Sequence, residues 1–91
     1  MSITNDEIER GVKILRDLGA RRVLLFGSAM TSPATARDVD FACEGIQPEC
    51  FFRALDTLIA SLGRDVDLVD LTRNDRRARF IRAHAKVMYE S

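Results

Sequence analysis

Val23-Leu24-Leu25-Phe26 is an unbroken apolar run that stops abruptly at Gly27-Ser28. The run is short and rich in strand-forming side chains. It predicts a strand covered on both faces, and therefore one in the middle of a sheet. Gly27 allows a backbone turn that a side chain would obstruct, and Ser28 is placed to cap a short helix after it. Beyond a loop containing Pro33, Asp38-Val39-Asp40-Phe41-Ala42 makes a second short run. Residues 22–42 thus predict strand, tight turn, short helix, loop and strand. The rest of the chain reads as support for that arrangement.

Thr4-Asn5-Asp6-Glu7 predicts a capping box. Ile8, Val12, Leu15 and Leu18 follow on one helix face, and Gly19 closes the helix. A second helix takes Pro48 in its first turn, carries a stripe of Phe51, Leu55, Leu58, Ile59 and Leu62, and ends at Gly63. Asp65-Val66-Asp67-Leu68 alternates acid with aliphatic, a strand pattern that turns Val66 and Leu68 inward and both acids to the other side. The alternation breaks at Val69-Asp70, and no role falls to Asp70. Thr72-Arg73-Asn74-Asp75 resembles a second capping box, with Asp in place of Glu. A basic helix follows to about Ala85 or beyond, with Ala78, Ile81, Ala85 and Met88 inward and Arg76, Arg79 and Arg82 largely outward. The fold class is α/β (α+β), a small mixed β-sheet packed with helices, in a single domain over residues 1–91.

Composition narrows the function. A formal net charge of zero argues against a general nucleic-acid coating protein. The charge is uneven, with six Lys and Arg side chains against one acid in residues 73–86. Aromatic residues for stacking bases are scarce there, so direct RNA binding is the weakest reading. The apolar runs fall far short of a membrane span, and no signal-peptide pattern opens the chain, so the expected location is cytoplasmic. Cys43 and Cys50 allow at most one disulfide and are expected reduced and packed. A single histidine, His84, cannot build a histidine metal cluster.

Asp38 and Asp40 stand two apart, so both side chains emerge on one face with Cα atoms about 7 Å apart. Carboxylates that close repel unless a positive charge lies between them. Such a pair fits a hydrated edge face or a cation site, and the residues alone leave both open. Asp67 recurs on a strand able to pair beside them, which makes accident harder to accept. Gly-Ser after a strand is usually a plain turn, although free N–H groups there suit phosphate.

In order and spacing, strand, Gly27-Ser28, Asp38-x-Asp40 and then Asp67 resemble the polymerase-β-like nucleotidyltransferase superfamily, specifically its minimal nucleotidyltransferase (MNT) domains. Leu25-Phe26-Gly27-Ser28, Val66-Asp67-Leu68-Val69 and the chain end from Ile81 through Val87-Met88-Tyr89-Glu90 are similar to that family's segments. The resemblance implies Mg²⁺-dependent transfer of a nucleoside monophosphate, AMP from ATP, to a hydroxyl. It makes Asp38, Asp40 and Asp67 catalytic carboxylates that hold two Mg²⁺ ions, and gives Gly27 and Ser28 to the triphosphate. It also implies an antitoxin whose partner is a HEPN-type toxin. Met30-Thr31-Ser32 replaces the family's Ala-Arg-Gly, which removes a bidentate phosphate ligand, and Arg37 stands where a serine is usual. Arg37 is therefore the candidate substitute for nucleotide binding. The alternative is a binding module that neutralises a helical partner by association alone, with residues 73–86 and exposed apolar side chains at the interface. Acceptor, nucleotide choice, strand order and oligomeric state are not legible in the residues.

Overall fold

The computed structural model describes residues 3–91. Helix α1 (Asn5–Asp17) begins with the expected box. Thr4 Oγ1 accepts the Glu7 amide at 3.2 Å, and the Thr4 amide donates to Glu7 Oε1 at 3.3 Å. It ends in a Schellman motif around Gly19, whose amide donates to the Arg16 carbonyl while that of Ala20 donates to the Leu15 carbonyl. Strand β1 (Arg22–Phe26), the single turn α2 (Ser28–Thr31), β2 (Val39–Glu44), α3 (Pro48–Leu62) and β3 (Val66–Asp70) follow in the predicted order.

The C-terminal third departs from expectation. Helix α4 runs only over Arg76–His84, and its cap is Asp75, which accepts the Ala78 amide at 2.9 Å, in place of Thr72. Thr72 instead donates its amide to Asp70 Oδ1. After Ala85 the chain extends into β4 (Lys86–Glu90), so Met88 packs inward from a strand and not from the helix. Ala85 closes against the smaller core, as the pattern indicated.

The sheet order is β3-β2-β1-β4, which puts β1 and β2 in the middle. Strands β2 and β3 are parallel, as the α3 crossover between them demands, and β1 runs antiparallel to both of its neighbours. One face carries the larger core, where Val23, Leu25, Val39 and Phe41 pack with Leu15 of α1 and Leu58 of α3. The buried line of α3 is Ala54, Leu58 and Leu62, with Phe51 and Leu55 partly covered. Ile59, expected in that stripe, is exposed. The other face carries a smaller cluster of Leu24, Ala42, Leu71, Ala78 and Ile81 under α4. Arg82 is not outward. It donates to Glu44 Oε1 at 3.0 Å, to the Leu71 carbonyl and to Asn74 Oδ1, tying α4 to the ends of β2 and β3.

Gly11 lies within α1 directly above Phe41, where an added Cβ would come 2.6 Å from the ring. In an open helix Gly→Ala gains about 1 kcal/mol. Here the ring is fully buried and has no room to retreat. Gly11→Ala is expected to destabilise by about 1–3 kcal/mol, read as a lower denaturation midpoint at unchanged m.

Candidate functional site

Sheet register gathers the acids. Phe26 of β1 stands opposite Asp40 of β2, and Asp40 opposite Asp67 of β3. Adjacent strands lie about 4.8 Å apart, so two carboxylates emerge side by side in one cross-strand row. They emerge on the α4 face, because Leu24, Ala42 and Val69, one row further in, join the cluster beneath that helix. Asp38 lies in the bend just before β2 and is exposed.

Gly27 supplies the close approach. Its backbone sits at φ 70° and ψ −154°, and an added Cβ would fall 2.0 Å from Asp40 Oδ2. The carboxylate therefore rests on the bare face of the glycine. Gly27 is also the N-cap of α2, so Ser28 is the first helical residue and not the cap. Thr31 Oγ1 donates back to the Gly27 carbonyl at 3.3 Å, which closes the turn on itself.

Burial raises the Asp40 carboxyl above its ordinary value, and the charges of Asp67 and Asp38 push it further the same way, with Arg77 opposing. The three acids thus share one electrostatic environment. Asp67 Oδ2 meets Arg77 Nη2 at 2.6 Å, both side chains roughly half exposed, and the Arg77 guanidinium lies 5.9 Å from the centroid of the Phe26 ring. Among the described residues, no three Asp, Glu, His or Cys side chains stand close enough, as arranged, to hold a metal ion.

Arg77 was missed by sequence reasoning. Six basic residues within 73–86 suggested a hydrated helix face, and nothing local distinguished this one. Its signal was positional, since Arg77 immediately precedes Ala78 and flanks the face that α4 buries. Arg37 is exposed and lines a cleft of about 540 Å³ with Asp38, Arg64 and Asp65. Its carbonyl accepts Arg64 Nη1 at 3.2 Å, while Arg64 Nε pairs with Glu7 Oε2 at 2.7 Å, which pins the approach to Asp38 onto α1. Cys43 and Cys50 are free thiols, and burial pushes Cys43 up to about 12, which leaves it inert. No helix among the described residues is long and apolar enough to cross a membrane.

The chain matches no family model and no curated protein sequence. Its shape is similar to solved structures. One is a toxin–antitoxin with AMP-PNP, 23% identical, TM-score 0.76, covering 98% of this chain and 75% of that one. Another is the toxin–antitoxin MntA–HepT, 21% identical, TM-score 0.74, covering 97% and 74%. A third is the tri-AMPylated Shewanella oneidensis HEPN toxin in complex with MNT antitoxin, 22% identical, TM-score 0.72, covering 93% and 71%. At such identities the likeness establishes architecture, and the chain shares the α+β fold seen in these toxin–antitoxin complexes.

Proposed function

We propose that this protein is a Mg²⁺-dependent nucleotidyltransferase that moves AMP from ATP onto a hydroxyl of a HEPN-type toxin and acts as its antitoxin. The observation that carries the reading is the row Asp40–Asp67, in which Asp40 is pressed against the turn at Gly27 and lies within reach of the Asp38 charge. The structural neighbours that contain AMP-PNP and an AMPylated HEPN toxin support the choice of nucleotide and partner.

The donor set suits a hard divalent cation. It is all carboxylate oxygen, and Asp40 is already under pressure from two like charges that a cation would relieve. Asp38, Asp40 and Asp67 would hold the ions. When bound, Mg²⁺ neutralises charge on the α-phosphate and makes the attacking hydroxyl more acidic. In the transfer itself the hydroxyl oxygen bonds to the α-phosphorus, the bond from that phosphorus to the bridging oxygen breaks, and pyrophosphate leaves. The hydroxyl proton passes to a carboxylate oxygen of Asp67. Ser28 and the amides after Gly27 hold the triphosphate tail, and Arg37 adds a guanidinium in place of the family's arginine. An Arg37→Ala variant with wild-type ATP affinity would remove Arg37 from that role.

Arg77 must release Asp67 for this to happen, which its half-exposed side chain permits. Exposed pairs are worth about 0.2–1 kcal/mol, so Arg77→Ala is expected to bind Mg²⁺ up to about fivefold more tightly by calorimetry. The same bridge favours a second reading, a binding module in which Asp67 is satisfied without a cation. The deciding experiment is transfer of label from α-labelled ATP to a co-purified helical partner. Loss of transfer in Asp38→Asn with partner binding retained supports the enzyme. Toxin neutralisation unchanged in that variant, with no transfer by wild type, supports the module.

A further inference from the structure

Beside the acidic row, between α2 and α4, lies a cleft of about 390 Å³ lined by Phe26, Gly27, Met30, Phe80, Ile81 and His84. Phe80 is 63% exposed, the second most open large apolar side chain described. Its ring lies 4.2 Å from that of His84 with 24° between their planes. The imidazole is fixed by Nδ1, 2.9 Å from the Phe80 carbonyl. A carbonyl only accepts, so Nδ1 carries a proton and the ring is pinned to the turn of helix that bears Phe80. Two stacked rings at the mouth of an apolar cleft form a preassembled platform.

Gly27 joins this cleft to the carboxylates, because it lines the cleft while the Asp40 carboxylate rests on its Cα. Phe26 does the same, lining the cleft and standing in register with Asp40. A ligand with its phosphates at the turn therefore has its other end directed at flat aromatic surface. Bases stack on such surface whatever their sequence identity, and the two-ring purines offer the larger face. We infer that the cleft between α2 and α4 is the base subsite and takes the purine ring of the nucleoside triphosphate against Phe80 and His84, an inference that rests on the transferase reading above. A cleft of about 450 Å³ by α3 and β3 also holds aromatic side chains, Phe51 and Phe52, but it does not include Gly27, so no residue of the turn joins it to the phosphate end.

The chain contains no tryptophan, so Phe80→Trp introduces a sole indole at the platform. With Mg²⁺ present, ATP is expected to quench its fluorescence saturably. Inorganic tripolyphosphate is expected to compete with ATP without quenching. Phe80→Ala should weaken ATP about 5- to 150-fold, the worth of one stacking contact, and leave tripolyphosphate affinity unchanged. CTP should bind wild type more weakly than ATP, and that gap should narrow in Phe80→Ala. Because Phe80 is exposed, both variants should melt near wild type. Unchanged ATP affinity in Phe80→Ala with no quench in Phe80→Trp would place the base elsewhere and leave the transferase reading intact. Equal weakening of ATP and tripolyphosphate would also overturn the subsite. Failure of wild type to bind either ligand would remove the transferase reading and this inference together.

Discussion

Asp40→Asn is expected to abolish nucleotide transfer and, in the metal-free protein, to raise the melting temperature. Both effects have one cause. Asp40 sits where burial and the charges of Asp67 and Asp38 all disfavour its ionised form, with only Arg77 helping it. Its folded pKa is therefore above 3.8, the ordinary value, so the native state binds this proton more tightly than the unfolded chain. Stability from the neutral form is fully present below that value and is lost as pH rises through the folded pKa. At neutral pH the ionised carboxylate is a fixed cost, which the isosteric amide removes. Partial exposure screens the repulsion, so the gain is about 0.5–1 kcal/mol, or roughly 2–8 °C for a chain of this size. The amide cannot replace a charged oxygen ligand, and transfer should fall on the order of 10³-fold. Melts in chelator and then in excess Mg²⁺ test the pair of effects, since the ion should stabilise wild type and not the variant. A variant that melts below wild type in chelator would mean that Asp40 is already compensated, and the shared charge environment would be lost with it.

What could be read from the residues depended on how local the cause was. The capping box at Thr4 and Glu7, the closure at Gly63 and the buried strand β1 each follow from side chains near in sequence, and each was legible. The companionship of Asp40 and Asp67 was legible as a pattern, but the register that sets them opposite depends on the α3 crossover and needed the structure. Strand β4 was hidden because Val87-Met88-Tyr89 continues an apolar rhythm begun on α4, with no Gly or Pro between to break it. Only pairing with β1 converts that segment to strand. Arg77 and Arg82 looked alike on a basic helix, yet one meets Asp67 and the other Glu44 and Leu71. Those partners are ten or more residues away, beyond the reach of any helical period.

Gly27→Ala is expected to cost about 3 kcal/mol and to lower the melting temperature by roughly 12–24 °C. Two separate terms add. At φ 70° and ψ −154° the backbone occupies a region essentially reserved for glycine, which costs about 1–3 kcal/mol for a residue with a Cβ. The new methyl would also fall 2.0 Å from Asp40 Oδ2 and 3.0 Å from its Cγ, so the carboxylate must move. Gly63 is the control. It has φ 66° and ψ 28° with nothing within 4 Å of an added Cβ, so Gly63→Ala carries only the left-handed strain of about 1–2 kcal/mol and leaves Mg²⁺ binding intact. Gly27→Ala should lose Mg²⁺ binding even at temperatures where it is folded. A double-mutant cycle of Gly27→Ala with Asp40→Ala separates the two terms. Removing the carboxylate relieves the collision but not the backbone strain, so the pair should be less destabilised than the sum by about 1 kcal/mol. Strict additivity would assign the whole cost to the backbone and detach Asp40 from the turn that is proposed to position it.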